Sequence, residues 1–369
     1  MKKLFILFVL LIGIITVKAQ SDFTIYLNPA TGNDGNNGTK DAPLRTLSVA
    51  ADLINENSGN GAVTIVMAPG VYSIDRTAVF GSEKRSFTKE NRLKIVAEIS
   101  PDDENWNPGS MPTLIHTMPL SDMWMGRKDP FGGVSYGMMI ETSHVTIQGL
   151  RILGIPVVEH PKEGYIQRVY PIGRMKPELD DLEITQCVFA GDEVTNPNHL
   201  PILANGTGIV VDHCVFYNVK QGIVYWSRNS TGHAMRNCLI YGSYGCGIWT
   251  SAIANDFDFD NNIIANGNYV WISQTTRDPG QQEVNSSEKA EPTLYKVKNS
   301  LFAGNNKLTG TGGGPALNFR DIDSSVLQLI NTEQTSNQIE LEWDQSKRNY
   351  LHPKENTLGA DMGVGLFKK

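Results

Sequence analysis

Apolar and polar positions recur along this chain in a six-residue pattern that returns about every two dozen residues. Each copy reads apolar, polar, turn residue, small or apolar, variable and large apolar, so two short strands flank a tight turn. Three successive copies begin at Val211, Met235 and Phe259, 24 residues apart. A unit of this size cannot bury its apolar face alone, so the repeat predicts a solenoid of stacked coils. The six copies are 147–152, 184–189, 211–216, 235–240, 259–264 and 297–302.

The repeat assigns two strands and a turn to each coil, and a further strand precedes it by roughly a dozen residues. We therefore expect an all-β solenoid, a right-handed parallel β-helix of about nine or ten coils. The third position of each copy favours a left-handed backbone conformation and ladders of side-chain amides. The residues at this position, which we call the turn column, are Gly149, Gln186, His213, Asn237, Asn261 and Asn299.

Three of the four cysteines share the next position of the repeat. Cysteines of an exported protein usually form disulfides. Cys187, Cys214 and Cys238, however, should stack about 4.8 Å apart with parallel Cα–Cβ bonds. A disulfide needs converging Cβ atoms about 3.8 Å apart. We predict a buried ladder of free thiols, with Cys246 unassigned.

The first 19 residues have the pattern of a secretory signal peptide, in which Lys2 and Lys3 precede an apolar run and cleavage falls near Ala19. The run is short for a membrane span and no second one follows it. We therefore expect a secreted monomer, periplasmic or extracellular, with no membrane insertion. The remaining divisions are a single β-helix domain at 20–369, an N-terminal cap at 20–60, loop insertions at 155–180 and 274–294, and a C-terminal cap at 330–369.

Charge argues against nucleic acid as a partner. The net charge is −7 with Lys and Arg spread along the chain, whereas phosphate binding needs clustered cations. No motif requires a cofactor, but two acidic segments, 34–36 and 256–260, keep calcium as a candidate. The first lacks the bidentate Glu of a calcium loop. A polar turn and a solvated strand face are the simpler interpretations.

Three aligned strands indicate where a ligand would bind. Strand alternation places Trp226, Trp249 and Trp271 on one outer face. An exposed aromatic patch suits the faces of sugar rings, and a parallel sheet offers an elongated groove for a polysaccharide. Two alternatives stay open: the 274–294 insertion covers the rings as a satellite core, or the alignment is out of register. The strands are 222–228, 247–251 and 269–273.

The segments 26–47 and 358–367 resemble the two ends of secreted right-handed parallel β-helix proteins, and the whole mature chain resembles the pectate-lyase-like superfamily. Within that superfamily, the alginate lyase and chondroitinase B family gives the nearest catalytic analogy. Arg228 occupies the position that corresponds to the catalytic Lys of that family. The catalytic Arg of the family lies in a segment similar to residues 318–320 of this chain, but in this chain that segment comes several coils too late. The resemblance implies the fold, which also carries hydrolases, epimerases, adhesins and inert proteins.

Ionisable residues near the predicted tryptophan face suggest β-elimination from a uronic acid polymer. This reaction needs a cation to neutralise the carboxylate and a base to remove the C5 proton. Arg228 is the candidate cation, and His199 or His233 is the candidate base.

Hydrolysis is the alternative reaction, and it needs two carboxyl groups across the scissile bond. Asp192 and Glu193 are the candidates, together with Glu141, and Arg174 is a further substrate-binding candidate. We expect a carbohydrate-active protein, with lyase-type cleavage of a uronic-acid-containing glycan favoured over hydrolysis. A non-catalytic glycan-binding or envelope protein is the competing class, so whether the chain is an enzyme stays open.

Overall fold

The computed structural model describes residues 22–124, 127–128, 133–154, 168–192, 200–274, 293–313 and 318–368. The predicted signal peptide, with Lys2, Lys3 and Ala19, lies outside the described residues. None of the described helices is both long enough and apolar enough to cross a membrane.

Three long sheets, which we name A, B and C, are formed by strands that stack from one coil onto the next. Sheet A contains Phe23–Leu27, Val63–Met67, Leu93–Ala97, Val145–Gln148, Leu182–Thr185, Ile209–Asp212, Ala234–Arg236, Asp258–Asp260, Tyr295–Lys298 and Leu327–Ile330. Sheet B contains Gly70–Ile74, Pro112–His116, Arg151–Leu153, Val188–Ala190, Val215–Tyr217, Leu239–Tyr241, Ile263–Ala265, Leu301–Ala303 and Glu333–Thr335. Sheet C contains Ala78–Phe80, Val134–Ile140, Arg168–Arg174, Ile202–Ala204, Gln221–Tyr225, Cys246–Thr250, Tyr269–Ser273, Lys307–Gly313 and Asn318–Asp321.

Every pairing within these sheets is parallel except the last one of sheet C, where Lys307–Gly313 and Asn318–Asp321 are antiparallel. The remaining elements are the α-helix Leu47–Glu56, a short hairpin of Met123–Trp124 with Arg127–Lys128, and the 3₁₀ turns Pro108–Ser110, Ser324–Val326 and Ala360–Met362. The ten strands of sheet A and nine of sheet B confirm the predicted right-handed parallel β-helix.

The turn column has the conformation that the repeat predicts. His213, Asn237 and Asn261 have φ of 50°, 54° and 52°, and the other members are also left-handed. Asn261 donates from Nδ2 to Asn237 Oδ1 at 2.8 Å, and Asn331 donates to Asn299 Oδ1 at 2.7 Å. These amide contacts fix one coil against the next at the corner between sheets A and B.

The thiol ladder is confirmed, because Cys187, Cys214 and Cys238 are buried and unpaired with one another by disulfides. The column continues in later coils with polar side chains that bond to backbone amides. Asn262 Oδ1 accepts from Cys238 N–H at 2.9 Å, and Ser300 Oγ accepts from Asn262 N–H at 3.0 Å. Thiols and small polar or amide side chains therefore fill this inner column from Cys187 to Ser300.

The predicted insertion at 155–180 is wrong at its C-terminal end. Arg168–Arg174 is a strand of sheet C, and it pairs with Val134–Ile140 on one side and Ile202–Ala204 on the other. Its alternating apolar and polar pattern is interrupted by Pro171 and Gly173, which hid the strand from sequence reading. The segment 155–167 lies outside the described residues.

The predicted outward orientation of Trp271 is also wrong. The strands pair Ile248 with Trp271 and Trp249 with Ile272, so Trp271 falls into the inward column. The ladder skips one position in these strands, and at the skip two consecutive residues, Val270 and Trp271, both join the core. The strict alternation of inward and outward side chains fails there. Trp249 and Trp271, which the sequence pattern aligned with each other, are therefore one residue out of register in the structure.

Trp271 is fully buried inside the solenoid. Its Nε1 donates to Thr250 Oγ1 at 3.0 Å, and its ring stacks on Tyr295 with centroids 5.2 Å apart. Phe259 packs edge-on against the same ring at 5.3 Å. The indole is thus a structural element of the core, and it is unavailable to a ligand.

Replacing Trp271 by Ala should destabilise the fold by about 3–5 kcal/mol, because it removes a fully buried indole and leaves a cavity. The matched control is Trp226→Ala, which removes a partly exposed indole and should cost less than about 1 kcal/mol. Denaturant unfolding monitored by circular dichroism measures both. Equal losses for the two variants would contradict the observed register.

Candidate functional site

A row of side chains runs along the edge of sheet C at which its strands end. The backbone ladder continues one residue past each strand, since Trp226 and Ser251 donate their amide N–H groups to Ala204 and Tyr225 of the preceding coil. Neighbours in such a column are about 4.8 Å apart, so the row is straight and about 24 Å long. We call it the Trp226 strip, and its residues in order are Glu141, Met175, Asn205, Trp226, Ser251 and Gln274.

Trp226 is the exposed aromatic side chain of this strip, with 38% of its surface accessible. Its ring meets Trp249 at 6.0 Å and an interplanar angle of 64°. Trp249 itself is only 4% exposed, so its predicted exposure is wrong. Phe319 packs on Trp249 at 5.8 Å, and Gln274 Oε1 accepts from the indole Nε1 at 3.2 Å.

The outer face of sheet C is therefore largely a satellite core, which was one of the alternatives left open by the sequence. Among the described residues, Trp249 is covered by Phe319 of the antiparallel strand and by Gln274, the first residue of the predicted 274–294 insertion. The cluster consists of Val134, Tyr170, Leu203, Val224, Cys246, Trp249 and Ile272. Among the described aromatic residues of this face, Trp226 is the most exposed, while Tyr136, Tyr269 and Phe319 are half-buried.

The turn that carries Trp226 is fixed by its neighbour on the strip. Asn205 Oδ1 accepts from Ser227 Oγ at 3.3 Å, and Ser227 Oγ accepts from Gly206 N–H at 2.8 Å. Asn205 Nδ2 also donates to the carbonyl of Met175 at 2.8 Å. These contacts tie three successive coils together beside the indole, so its position is set before any ligand arrives.

Charged groups flank the indole on both sides. Lys176 Nζ lies 3.1 Å from Glu141 Oε2 at one end of the strip, and both side chains are partly exposed. Arg228 follows Trp226 by two residues and is half-buried. Asn205, Ser251 and Gln274 are buried, so the groups of the strip that reach solvent include the indole and the charged side chains.

Arg174 does not reach this surface, which corrects its predicted substrate-binding position. Its side chain is fully buried because Arg174 pairs with Ala204 in an inward column. Nε donates to the carbonyl of Asn205 at 2.6 Å and Nη2 to that of Thr207 at 2.8 Å. Burial lowers the pKa of Arg174 to about 10, although Asp180 and Asp181 act in the opposite direction.

His233 is likewise buried, so its predicted place beside the tryptophan platform is wrong. The N–H of Ile209 donates to Nδ1 at 3.2 Å, which leaves Nε2 to donate to Ser230 Oγ at 2.8 Å. Burial, assisted by the positive charge of Arg174, lowers the pKa of His233 to about 4. A neutral imidazole with both nitrogens occupied positions the backbone and has no free position for a substrate proton.

Asp192 lies at the other edge of sheet C, beyond the end of a sheet B strand. Its carboxylate is close enough to Tyr217 to act on that phenol. The structure therefore does not bring Asp192 together with Trp226 or Arg228. Glu193 and His199 lie outside the described residues. The predicted catalytic set is not assembled by the part of the chain that the structure describes.

The two calcium candidates are engaged by the protein itself. Asp34 accepts the amide N–H groups of Arg45 and Thr46, each at 2.9 Å, and so closes the turn before the α-helix. Asp258 lies 2.6 Å from Arg236 and 2.8 Å from Lys298. No group of three or more His, Cys, Asp or Glu residues is placed to hold a metal within the described ranges.

The sequence reading missed Lys220, a buried amine at the start of a sheet C strand. Burial lowers its pKa to about 8, with Cys246 acting weakly in the opposite direction. No pattern marks Lys220, because the groups that bury it belong to other coils. It lies six residues before Trp226, which along a strand is about 20 Å. It therefore does not act on a sugar bound at Trp226.

Three buried histidines should make the fold sensitive to mild acid. Burial lowers the pKa values of His116, His233 and His352 from 6.5 to about 4. Between these values the unfolded chain binds more protons than the folded one, so stability falls as the pH falls from about 6.5 towards 4. Unfolding midpoints measured across this pH range test the prediction. The midpoint of the His233→Gln variant should fall less steeply with decreasing pH than that of the native protein. An unchanged slope in that variant would contradict a neutral buried His233.

Comparisons with known proteins agree with this architecture. Residues 135–318 match the family described as the right handed beta helix region. Among solved structures, a rhamnogalacturonan lyase is similar with a TM-score of 0.50 and 14% identity, over 76% of this chain and 68% of that one. A lacto-N-biosidase from Eubacterium ramulus has a TM-score of 0.46 and 12% identity, over 76% of this chain and 55% of that one. A pectin methylesterase from Aspergillus niger has a TM-score of 0.43 and 14% identity, over 93% of each chain.

A comparison with curated proteins gives no match. The family match and the similarity to the lyase structure, together with the three stacked sheets, establish the fold. This chain is therefore a right-handed parallel β-helix protein.

Proposed function

We propose that this protein binds a polysaccharide along the Trp226 strip. The observation that carries the proposal is the indole of Trp226, 38% exposed beside a largely buried aromatic cluster and held by the Asn205–Ser227 contacts. Exposed tryptophan of this kind is costly to leave in water and is enriched at binding sites. A rigid ring loses little conformational entropy when it meets a ligand.

The shape of the strip favours a polymer over a small ligand. Its members repeat at about the spacing of stacked strands, 4.8 Å, and so present successive contacts along one line. Glu141 and Lys176 place partly exposed charged groups at one end of the strip, whereas Ser251 and Gln274, on the other side of the indole, are buried and bonded to each other. Sugar hydroxyls can both donate to and accept from such groups. The fold is also that of a structure named rhamnogalacturonan lyase, whose name denotes a polysaccharide substrate.

Lyase-type cleavage of a uronic-acid-containing glycan is the second candidate, and Arg228 is the observation that favours it. A guanidinium two residues from the platform is suited to pair with a uronate carboxylate. The base for the C5 proton is not supplied by His233, which is buried and neutral. Hydrolysis has less support, because Glu141 is the single carboxylate among the strip residues. Export, which the N-terminal pattern predicts, would bring the chain to such a polymer.

Trp226→Ala should weaken binding about tenfold or more, because it removes the aromatic contact without disturbing the core. Affinity electrophoresis in gels containing polygalacturonate, alginate, rhamnogalacturonan or xylan measures the loss. Trp226→Tyr should retain most of the binding, and Val71→Ala, at an exposed apolar residue of sheet B, is the matched control. Retention of full affinity in Trp226→Ala for every polymer that the native chain binds would refute the proposed site.

Product analysis on the same polymers separates binding from cleavage. We expect no new saturated reducing ends, since the strip lacks a second carboxylate for hydrolysis. Ultraviolet-absorbing unsaturated products would support the lyase candidate, and Arg228→Ala should then abolish them while Arg228→Lys retains a part. Saturated products formed by the native chain would overturn the expectation.

A further inference from the structure

A second exposed tryptophan lies on a different part of the solenoid. The side chain of Trp343 is 48% exposed, compared with 38% for Trp226, and other aromatic rings pack against it. It packs edge-on against Tyr217 at 5.4 Å and 67°, and against Tyr241 at 5.9 Å and 77°. We call these three residues the aromatic corner. It lies at the far ends of the sheet B strands, whereas the Trp226 strip lies at the far ends of the sheet C strands.

The two tyrosines form a fixed base for this corner. Tyr217 and Tyr241 are paired on successive strands of sheet B, and their rings stack with centroids 6.1 Å apart and an interplanar angle of 26°. Because the backbone ladder fixes the spacing of the two strands, the rings lie side by side on neighbouring coils. They form a base for Trp343 that the solenoid itself positions.

Trp343 is also anchored through its own segment. Asn266 donates to the carbonyl of Ile339 at 3.0 Å and accepts from its N–H at 3.1 Å, four residues before the indole. The same Asn266 amide donates to the Tyr241 hydroxyl at 3.1 Å. The residue directly before the indole is fixed as well, because Leu351 N–H donates to the carbonyl of Glu342 at 2.8 Å. A half-exposed indole held this firmly loses little freedom on binding a flat partner.

Polar groups at the corner match hydroxyl-rich ligands. The Tyr241 hydroxyl accepts from Asn266, so its own proton can be donated to a ligand. The carboxylate of Asp192 lies near Tyr217. The pKa of the Tyr217 phenol is raised mainly by burial, and further by Tyr350, Tyr241 and Asp192. The phenol therefore stays protonated at neutral pH, and the negative charge of Asp192 disfavours anionic sugars.

We propose that the aromatic corner is a second carbohydrate site, which binds neutral sugar units against the exposed indole of Trp343. It is separate from the Trp226 strip, because the ring partners of the two tryptophans among the described residues differ and the two lie on different edges of the solenoid. With both sites present, one chain would hold two glycan segments, and a long polymer reaching both would bind more tightly than a short one.

Isothermal titration with cellohexaose, xylohexaose and mannohexaose tests this on the full chain. At least one of these neutral hexasaccharides should bind the native protein, and Trp343→Ala should weaken that binding about tenfold or more. Trp343→Phe should retain most of the affinity, and unchanged unfolding midpoints would show that the segment stays folded. Binding at the corner should persist in Trp226→Ala.

Three outcomes would overturn the inference. These are the absence of binding by all three hexasaccharides, equal affinity in Trp343→Ala and native protein, and a native dimer that Trp343→Ala converts to a monomer in sedimentation, which would assign the corner to a second copy of the chain. Loss of binding in Trp226→Ala alone would support the Trp226 strip and leave the corner without a role. Loss in Trp343→Ala alone is the result that the inference predicts, and the strip is tested separately by the Trp226→Ala experiment on polymers.

Discussion

Stacking of one coil on the next is the interaction on which the rest of the structure depends. No single coil encloses a core, so each buries its apolar residues only against its neighbours. The turn column fixes this stacking at one corner, where left-handed residues such as Asn237 and Asn261 join successive coils through their amides. Sheets A and B then extend in register, and the positions that face solvent on sheet C are set by the same coil-to-coil alignment.

The features that repeat locally could be read from the sequence. The turn column, the thiols of Cys187, Cys214 and Cys238, and the order of strands all follow from a pattern within one coil. Trp271 could not be placed, because the ladder skips the pair Gly247–Val270, and there two consecutive residues, Val270 and Trp271, both face the core. A pattern of alternation contains no sign of such a skip.

The candidate site was harder to predict for a related reason. Arg174 and His233 are ionisable and follow predicted strands, as functional residues often do, yet groups from other coils bury both. The carbonyls of Asn205 and Thr207 occupy the guanidinium, and Ile209 and Ser230 occupy the imidazole. Their partners are distant in sequence, so only the assembled solenoid distinguishes these structural side chains from a catalytic cation and base. Strand alternation identified Trp226 correctly as outward, because no pair is skipped between it and the outward residue Val224.

Burial of Trp249 and Trp271 reduces the predicted three-ring platform to one exposed indole on sheet C, while Trp343 adds an exposed ring elsewhere. Hydroxyl-radical footprinting with mass spectrometry, which reads the solvent accessibility of each indole separately, measures this division most directly. The structure predicts rapid oxidation of Trp226 and Trp343 and strong protection of Trp249 and Trp271. Oxidation of Trp271 at the rate of Trp226 would contradict the register of the solenoid, and with it the placement of every candidate site.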